Sequence, residues 1–233
     1  MTDLVARFAQ LTTAHITDGC LRAGQSVRCG PAGLVAVAPG SRLAGRALPV
    51  HHAGSVDIFL EALEDAVAGD VLVVDNEGRL DEACVGDLMA LEAQGAGLAG
   101  IVIWGLHRDS VEIREIGLPV FSLGAMPTGP LRLDPRAADA LDAARFGAWT
   151  ITRDDIVFAD DDGVVFVPAG AVDDVLTAAE GVRDTEHAQG EKSRAGVSLR
   201  EQLQFAAYLE ARAADPTLTL RQHLTTIGGA IEV

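Results

Sequence analysis

Basic residues are scarce in this sequence of 233 residues, where 18 lysines and arginines stand against 34 aspartates and glutamates, for a net charge of −16. A protein that binds nucleic acid normally presents a basic surface, and too few cations are present to build one. We therefore expect no nucleic-acid partner. The excess of carboxylates favours a soluble protein with side chains available to hold a cation.

Lysine is almost absent, because Lys192 is the only one in the chain and lies in the polar run of residues 190–194. An enzyme that forms a Schiff base needs a lysine that burial or a neighbouring charge can deprotonate. Lys192 is a poor candidate for that role. Carbonyl chemistry in this protein would therefore need a metal ion instead.

Cysteines and long apolar runs are also few. Cys20, Cys29 and Cys84 are an odd number and match no metal-binding spacing, which favours reduced thiols in a cytoplasmic protein. No run approaches the roughly 18 apolar residues of a membrane-spanning helix, so we expect no membrane partner. The first ten residues lack a basic segment that leads into an apolar one, so we expect no signal peptide.

The middle of the chain alternates strands and helices. Apolar runs at Val71–Val74, Ile101–Trp104 and Pro119–Ser122 have the length of buried strands, and helices are predicted at Ala83–Gln94 and Val111–Ile116. This βαβ pattern implies parallel strands and predicts an α/β fold. The length of the chain favours one domain with room for an appendage.

Further elements are predicted on both sides of this region. Ser55 is expected to cap the helix at 56–67, and the run Asp160–Gly163 is expected to be a turn between strands. Strands are expected at residues 35–38, 42–50, 149–152, 156–158 and 164–167, and helices at residues 3–10, 13–23, 56–67, 171–194, 198–213 and 220–225.

Two motifs resemble ligand-binding sites but have the wrong structural context. Gly95–Gly100 matches the pattern G-x-G-x-x-G, but a helix precedes it and a strand follows it, which reverses the order of a dinucleotide-binding loop. His51 and His52 end a predicted strand and must face opposite ways, so they cannot bind one metal ion together. One of them could line a cavity, although a packed or solvated histidine is the more common case.

Two short segments carry the most chemistry. Residues 86–89, Gly-Asp-Leu-Met, lie near a predicted helix start, where free backbone N–H groups favour an anion. Arg108 and Asp109 follow a buried strand, at the edge of a parallel sheet where ligands collect. Arg108 offers a planar fork for a carboxylate or an enolate, and Asp109 offers an oxygen ligand for a divalent cation. Asp109 could equally serve only as a helix cap.

Several segments of the chain, taken in order, resemble those of a known protein family. Residues 69–75 (GDVLVVD), 86–88 (GDL), 99–105 (AGIVIWG) and 160–168 (DDDGVVFVP) occur in the order typical of the 4-hydroxy-4-methyl-2-oxoglutarate/4-carboxy-4-hydroxy-2-oxoadipate aldolases, a family that also contains the ribonuclease regulator RraA. The resemblance extends from about residue 12 to residue 186. The signature of the aldolase branch, an aspartate, twenty residues and then Arg-Asp, is intact from Asp87 to Arg108 and Asp109.

The resemblance implies roles for these residues. Asp109 would bind the divalent metal directly, Mg²⁺ by preference or Mn²⁺, and Asp87 would hold water on that ion. Arg108 would contact the pyruvyl part of the substrate and stabilise its enolate. The segment from Gly86 would bind the substrate carboxylate through the backbone N–H groups of Leu88 and Met89. A glutamate of a neighbouring subunit would complete the site, with Glu186 as the first choice and Glu180 as the reserve.

The family also implies a fold and an assembly. We expect a compact single-domain α/β/β fold of the swivelling-domain type with a partly parallel sheet, assembled as trimers or hexamers. Residues 1–196 would form this domain and residues 197–233 a C-terminal helical arm. The sequence departs from the family at two places: Arg153-Asp154-Asp155 stands where a Pro-Gly-Asp turn is common, and the arm is longer than in short family members.

These observations lead to two functional hypotheses. The first is a metal-dependent class II aldolase, a carbon–carbon lyase that cleaves a small acidic 4-hydroxy-2-oxo acid, releases pyruvate and has oxaloacetate decarboxylation as a side activity. The second is a non-catalytic RraA-type regulator that binds a ribonuclease or another protein. A pure binding protein has no need of Asp87 together with Arg108 and Asp109, so the signature favours the enzyme.

Overall fold

The computed structural model describes residues 2–227, so Met1 lies outside the described part of the predicted domain. The α-helices in that range are α1 (Thr2–Phe8), α2 (Thr13–Arg22), α3 (Asp57–Glu64), α4 (Asp87–Gly95), α5 (Ser110–Ile116), α6 (Val172–Arg194), α7 (Leu199–Gln202), α8 (Phe205–Ala214) and α9 (Leu220–Ile227). The strands are β1 (Arg28–Cys29), β2 (Val35–Ala36), β3 (Leu43–His51), β4 (Val71–Asp75), β5 (Ala83–Val85), β6 (Gly100–Trp104), β7 (Leu106–His107), β8 (Val120–Ser122), β9 (Ala143–Phe146), β10 (Trp149–Thr152), β11 (Asp155–Asp160) and β12 (Gly163–Pro168).

Eight strands form one mixed sheet in the order β1-β12-β11-β3-β4-β6-β8-β2. The four central strands β3, β4, β6 and β8 are parallel, and the flanking strands pair antiparallel. Every residue of β4 is buried, because protein covers both faces of the sheet there. The parallel centre predicted from the βαβ pattern is confirmed, and so is the α/β class.

Alternating side chains of β3 enter two different cores. Leu48 and Val50 pack with Phe59 of α3 and with α4 and α5 on one face of the sheet. Ala47 faces the other side, where Phe146 and the small β9–β10 sheet cover the strands. Helices, main sheet and small sheet are therefore stacked in the α/β/β order that the family resemblance implies.

A third core lies at the antiparallel end of the main sheet. Phe8 of α1, Ile16 of α2 and Leu176 of α6 pack against Phe158 of β11 and Val165 of β12. Phe8 and Phe158 have ring centroids 5.1 Å apart. This cluster fixes the long helix α6 on the body of the domain, away from the carboxyl ends of the parallel strands.

Two local predictions in the middle of the chain were wrong. The helix predicted at Ala83–Gln94 starts only at Asp87, because residues 83–85 form β5 and pair with β7. The α3 helix has Val56, not Ser55, as its N-cap residue, and that position makes no side-chain cap hydrogen bond. Strands β1, β7 and β9 were not predicted at all.

The C-terminal segment is helical as expected, with one difference. Gln204 adopts a left-handed backbone conformation with φ of 49°, which divides the predicted helix 198–213 into α7 and α8. The division of the chain at residue 196 stays a prediction, and residues 228–233 of the arm lie outside the described residues. Between residues 2 and 227 we find no helix with the length and hydropathy needed to cross a membrane.

Candidate active site

The predicted site lies at the carboxyl ends of the parallel strands, where a short parallel ladder brings two distant segments together. β5 pairs with β7, and the Arg108 N–H donates to the Val85 carbonyl at 2.9 Å. Gly86 and Asp87 follow β5, while Arg108 and Asp109 follow β7. The pairing therefore places the two halves of the signature side by side, although twenty residues separate them in the chain.

A cleft of about 340 Å³ opens at this point, within the size range of small-molecule sites. The predicted residues Gly86, Asp87, Leu88, Met89 and Arg108 all line it. The rest of the wall consists of His52, Gly54, Val56, Ala83, Cys84, Gly129 and Pro130. The structure thus brings five of the predicted site residues together on one surface.

Asp109 lies directly against this wall. Its Oδ2 atom is 3.3 Å from Arg108 Nε and accepts a hydrogen bond from the Asp87 N–H at 3.4 Å. The backbone of Asp109 is left-handed, with φ of 60°, a conformation that costs energy in most residues but is tolerated by aspartate. Asp109 precedes α5 yet makes no side-chain cap hydrogen bond, so the capping role is not what holds it there.

Gly86 is required by the close approach of these side chains. A Cβ atom built on Gly86 would collide with Asp109 Oδ2 and would lie 3.1 Å from Arg108 Nε. Gly129 meets the same guanidinium from another side, since a Cβ there would lie 3.2 Å from Arg108 NH1. Two glycines therefore leave the space that Arg108 and Asp109 occupy.

The start of α4 supplies backbone donors to the cleft. The N–H groups of Asp87, Leu88 and Met89 belong to the first helical turn and have no acceptor within the helix. The Leu88 N–H donates to the Asp87 side chain at 2.8 Å, and the Leu88 side chain is exposed while Met89 is buried. The arrangement suits a bound anion, which could replace the Asp87 carboxylate as the acceptor.

His107 holds the strand from which Arg108 and Asp109 emerge. Its Nδ1 atom is 2.7 Å from the Ser122 hydroxyl of β8, and its Nε2 atom is 2.7 Å from the Ser110 hydroxyl of α5. Burial lowers the pKa of His107, which favours a neutral ring between two hydroxyl groups. Both ring nitrogens are therefore occupied in fixing the backbone beside the cleft.

The sequence left open whether His51 or His52 lines a cavity, and the structure places His52 on the wall of the cleft. It is buried, and its ring stacks on Phe59 with centroids 5.1 Å apart. Its Nδ1 atom is 2.9 Å from Asn76 Oδ1, which also accepts from Arg132 NH2 at 3.1 Å. Burial lowers the pKa of His52. The only sequence feature that pointed to His52 was its position at the end of a parallel strand. His51 has the same feature, so the sequence could not choose between them.

The two glutamates proposed for a neighbouring site both lie on α6 and do not line this cleft. Glu180 forms two hydrogen bonds with Arg7, of 2.7 and 3.0 Å, and these lower the pKa of Glu180. Glu186 contacts His15 Nε2 at 3.0 Å and is about half exposed. A role for either in a neighbouring subunit stays a prediction.

The donor set can be compared with what different metals require. Among residues 2–227, no three His, Cys, Asp or Glu side chains come together as a metal-binding group, which disfavours a structural zinc site. Asp87 and Asp109 are two carboxylate residues that meet at the start of α4, where the Asp87 backbone N–H contacts Asp109 Oδ2. Mg²⁺ is commonly held by one or two carboxylates and water. The residues therefore fit a hydrated magnesium ion.

The chain is similar to several known proteins. A relative from Aromatoleum aromaticum, named "Putative 4-hydroxy-4-methyl-2-oxoglutarate aldolase", is 40% identical over 104 residues, which are 45% of this chain and 64% of that protein. The chain therefore matches less than two thirds of that relative's length.

Two solved structures share the fold over most of their length. An uncharacterised protein from Pseudomonas syringae pv. tomato has a TM-score of 0.75 at 27% identity, over 86% of this chain and 96% of that one. RraAS2 of Streptomyces coelicolor, described as an unusual member of the RNase ES inhibitor RraA protein family, has a TM-score of 0.67 at 29% identity, over 82% and 95%. The family model described as RraA-like, Aldolase/RraA, matches residues 13–166. The chain belongs to this RraA-like family.

Proposed function

We propose that the protein is a divalent-metal-dependent aldolase that cleaves a small acidic 4-hydroxy-2-oxo acid and releases pyruvate. One observation carries the proposal: Arg108 and Asp109 meet the first turn of α4 at a single cleft of small-molecule size. A guanidinium, a carboxylate and the backbone N–H groups of a helix start at one point are what an enolate and its carboxylate require. The name of the Aromatoleum relative supports the same class of reaction.

The chain's own residues would bind and orient the substrate. The N–H groups of Leu88 and Met89 would donate to its carboxylate at the positive end of α4. Arg108 would lie against the 2-oxo group, where its guanidinium stabilises the negative charge that develops as the enolate forms. Because Gly86 and Gly129 fix the space around the guanidinium, little rearrangement is needed when that charge appears.

Asp109 would hold the divalent cation directly, with Asp87 as an outer carboxylate. Mg²⁺ is our first choice and Mn²⁺ the second, since both prefer oxygen ligands. When bound, the cation would supply Lewis-acid stabilisation of the developing negative charge. The single lysine, Lys192 on α6, lies outside the cleft, so the chain offers no Schiff-base alternative there.

Oxaloacetate decarboxylation is proposed as a side activity of the same cleft. Loss of carbon dioxide from oxaloacetate leaves the same pyruvate enolate as aldol cleavage does. The groups that stabilise one enolate therefore serve both reactions. A small acidic 2-oxo acid is accordingly the ligand class that we propose for this site.

A non-catalytic regulator is the second candidate, because the chain is similar in fold to RraAS2 over most of its length. Such a protein would bind a ribonuclease or another protein through its surface. It would not depend on the Arg108 and Asp109 side chains for any chemical step. A measurement of pyruvate release distinguishes the aldolase from the regulator.

The decisive measurement is pyruvate release from a panel of 4-hydroxy-2-oxo acids and from oxaloacetate, with Mg²⁺ and with excess chelator. We expect turnover only with the cation. We also expect Asp109→Ala to abolish turnover while the far-ultraviolet circular dichroism spectrum is unchanged. Full activity in excess chelator would contradict metal dependence, and no turnover of any substrate with Mg²⁺ would favour the regulator.

A further inference from the structure

The protonation pattern of His52 follows from its neighbours. An arginine side chain only donates hydrogen bonds, so the Asn76 atom that Arg132 contacts at 3.1 Å must be the amide oxygen. The same oxygen lies 2.9 Å from His52 Nδ1, which must therefore carry the hydrogen. A buried neutral ring with its hydrogen on Nδ1 has no hydrogen on Nε2.

The unprotonated nitrogen is left without a protein partner. Within residues 2–227, Nε2 of His52 makes no hydrogen bond. Protein does not fully enclose this atom, unlike the buried polar atoms that have no partner. His52 itself lines the cleft that holds Asp87 and Arg108. His52 is therefore a residue of the wall whose Nε2 atom is free to accept a hydrogen bond.

The ring is held firmly in this state. Phe59 stacks on its face, with an angle of 6° between the ring planes. Behind Asn76, Arg132 donates from Nε to the buried Glu82 at 3.0 Å, so the amide that orients the ring is itself anchored by an ion pair. Such a chain of contacts fixes the tautomer and orientation of a histidine before any substrate arrives.

The other candidate bases near the site are less suitable. Both nitrogens of His107 are occupied by serine hydroxyls. Burial raises the pKa of the Cys84 thiol far above its usual range, so a thiolate is disfavoured. Asp87 is an acceptor for the Leu88 N–H and has the proposed role beside the cation. His52 is the remaining titratable group on the wall of the cleft.

We propose that His52 is the proton-transfer residue of this site, an inference that rests on the proposed aldolase function. Nε2 takes the proton of the substrate's C4 hydroxyl, and the O–H electron pair forms the C4 carbonyl as the C3–C4 bond breaks. The electron pair of that bond forms the C2–C3 double bond of the enolate, whose charge develops on the C2 oxygen near Arg108. The imidazolium returns the proton to C3, which gives pyruvate and restores neutral His52.

Comparing two reactions distinguishes proton transfer by His52 from stabilisation of the enolate. Aldol cleavage must remove a hydroxyl proton, whereas oxaloacetate decarboxylation forms the enolate without one. We expect His52→Gln to lower kcat for aldol cleavage by about 100-fold or more, the usual contribution of a general base, while oxaloacetate decarboxylation stays within a few-fold of the wild type. The matched control is His51→Gln, because His51 contacts Glu77 and does not line the cleft.

A second variant tests the orienting amide by a pH profile. Asn76→Asp puts a carboxylate behind Nδ1, which raises the basicity of His52 and should move the acidic limb of kcat for cleavage to higher pH. The pH dependence of kcat must be compared with that of His52→Gln, in which the decrease of kcat at acidic pH should be absent. The groups that face or surround the ring are Arg132, Glu82, His51, Asp87, Cys84 and Arg108.

The outcomes are distinct. Cleavage at the wild-type rate in a folded His52→Gln protein would overturn the role of His52, and so would an equal loss of both reactions. An unchanged acidic limb in Asn76→Asp would overturn it as well, which keeps a test available if His52→Gln does not fold. If the wild-type protein catalyses neither reaction, the proposed function fails and this inference fails with it.

Discussion

Arg108 lies 3.3 Å from Asp109 and is about half exposed at the cleft, so its guanidinium is available to a ligand. Arg108→Lys keeps the positive charge but loses the planar fork that can contact two oxygens at once. We expect a loss of about 3–4 kcal/mol of transition-state stabilisation, the range of a single lost oxyanion donor. The measurement is kcat/KM for pyruvate release.

Arg136→Lys is the matched control for that variant. Arg136 forms an exposed ion pair with Glu61 and does not line the cleft, so its replacement should leave kcat/KM unchanged. An Arg108→Lys enzyme with nearly wild-type turnover would show that Arg108 has only a structural role.

Gly86 gives a test of how closely the site is packed. A Cβ at this position collides with Asp109 Oδ2, so Gly86→Ala must displace either the carboxylate or the start of α4. We expect a large loss of kcat with cooperative unfolding preserved. Gly95→Ala, at the other end of α4 where a Cβ meets nothing within 4 Å, should keep full activity. Equal activities of the two variants would contradict the prediction.

At the scale of elements, an ion pair ties the first helix to the longest one. Arg7 of α1 and Glu180 of α6 share two hydrogen bonds, and both side chains are partly exposed. Glu180→Gln should lower the free energy of unfolding by about 0.5–1 kcal/mol at neutral pH, since partly exposed ion pairs contribute little. Denaturant unfolding measures the change, and Glu191→Gln, on the exposed end of α6, is the control.

The same pair predicts a pH dependence. The hydrogen bonds from Arg7 lower the pKa of Glu180 below its ordinary value of 4.5. Its contribution is therefore complete above about pH 4.5 and is lost as the pH falls through the lower pKa of the folded state. The difference in unfolding free energy between the wild type and Glu180→Gln should shrink in acid. A difference that does not depend on pH would contradict this account.

Element boundaries show where local patterns were enough and where they were not. The apolar runs at 71–74 and 101–104 predicted β4 and β6, because strands buried on both faces need continuous apolar sequence. β5 has only three residues, and β9 alternates around an exposed arginine at 145. β5 depends on pairing with the distant β7, which a local pattern does not contain, whereas β9 pairs with the nearby β10 but has no apolar run long enough to predict a strand.

At the scale of the whole molecule, three leucines are exposed: Leu88 lines the cleft, and Leu131 and Leu133 closely follow its wall residue Pro130 in the chain. Leu88, Leu131 and Leu133 are 76%, 96% and 78% exposed, which is unusual for large apolar side chains grouped near a site. We predict a closed homo-oligomer, a trimer or a dimer of trimers, in which a glutamate of α6 reaches a neighbouring site. Glu186 suits this role better than Glu180, because Glu186 is about half exposed with one contact to His15, whereas Glu180 is less exposed and forms two hydrogen bonds with Arg7.

Light scattering at micromolar concentration tests the assembly. We expect a mass of three or six chains of 24.3 kDa, a weaker assembly after truncation at about residue 196, and a lower kcat for Glu186→Gln. Glu191→Gln again serves as the control. A stable and active monomer would refute a site that is shared between subunits.

The sequence by itself determined the parallel centre and the family, and it predicted a site in the segments 86–89 and 108–109. Strands that are buried on both faces need continuous apolar sequence, and such runs are visible in the chain. The segments 86–89 and 108–109 likewise keep a recognisable order and spacing. Only the tertiary structure decided how these segments meet and that His52, rather than His51, lines the cleft. The physical reason is that the β5–β7 pairing and the Asn76–Arg132 contact join residues far apart in the chain, and no local pattern encodes such contacts.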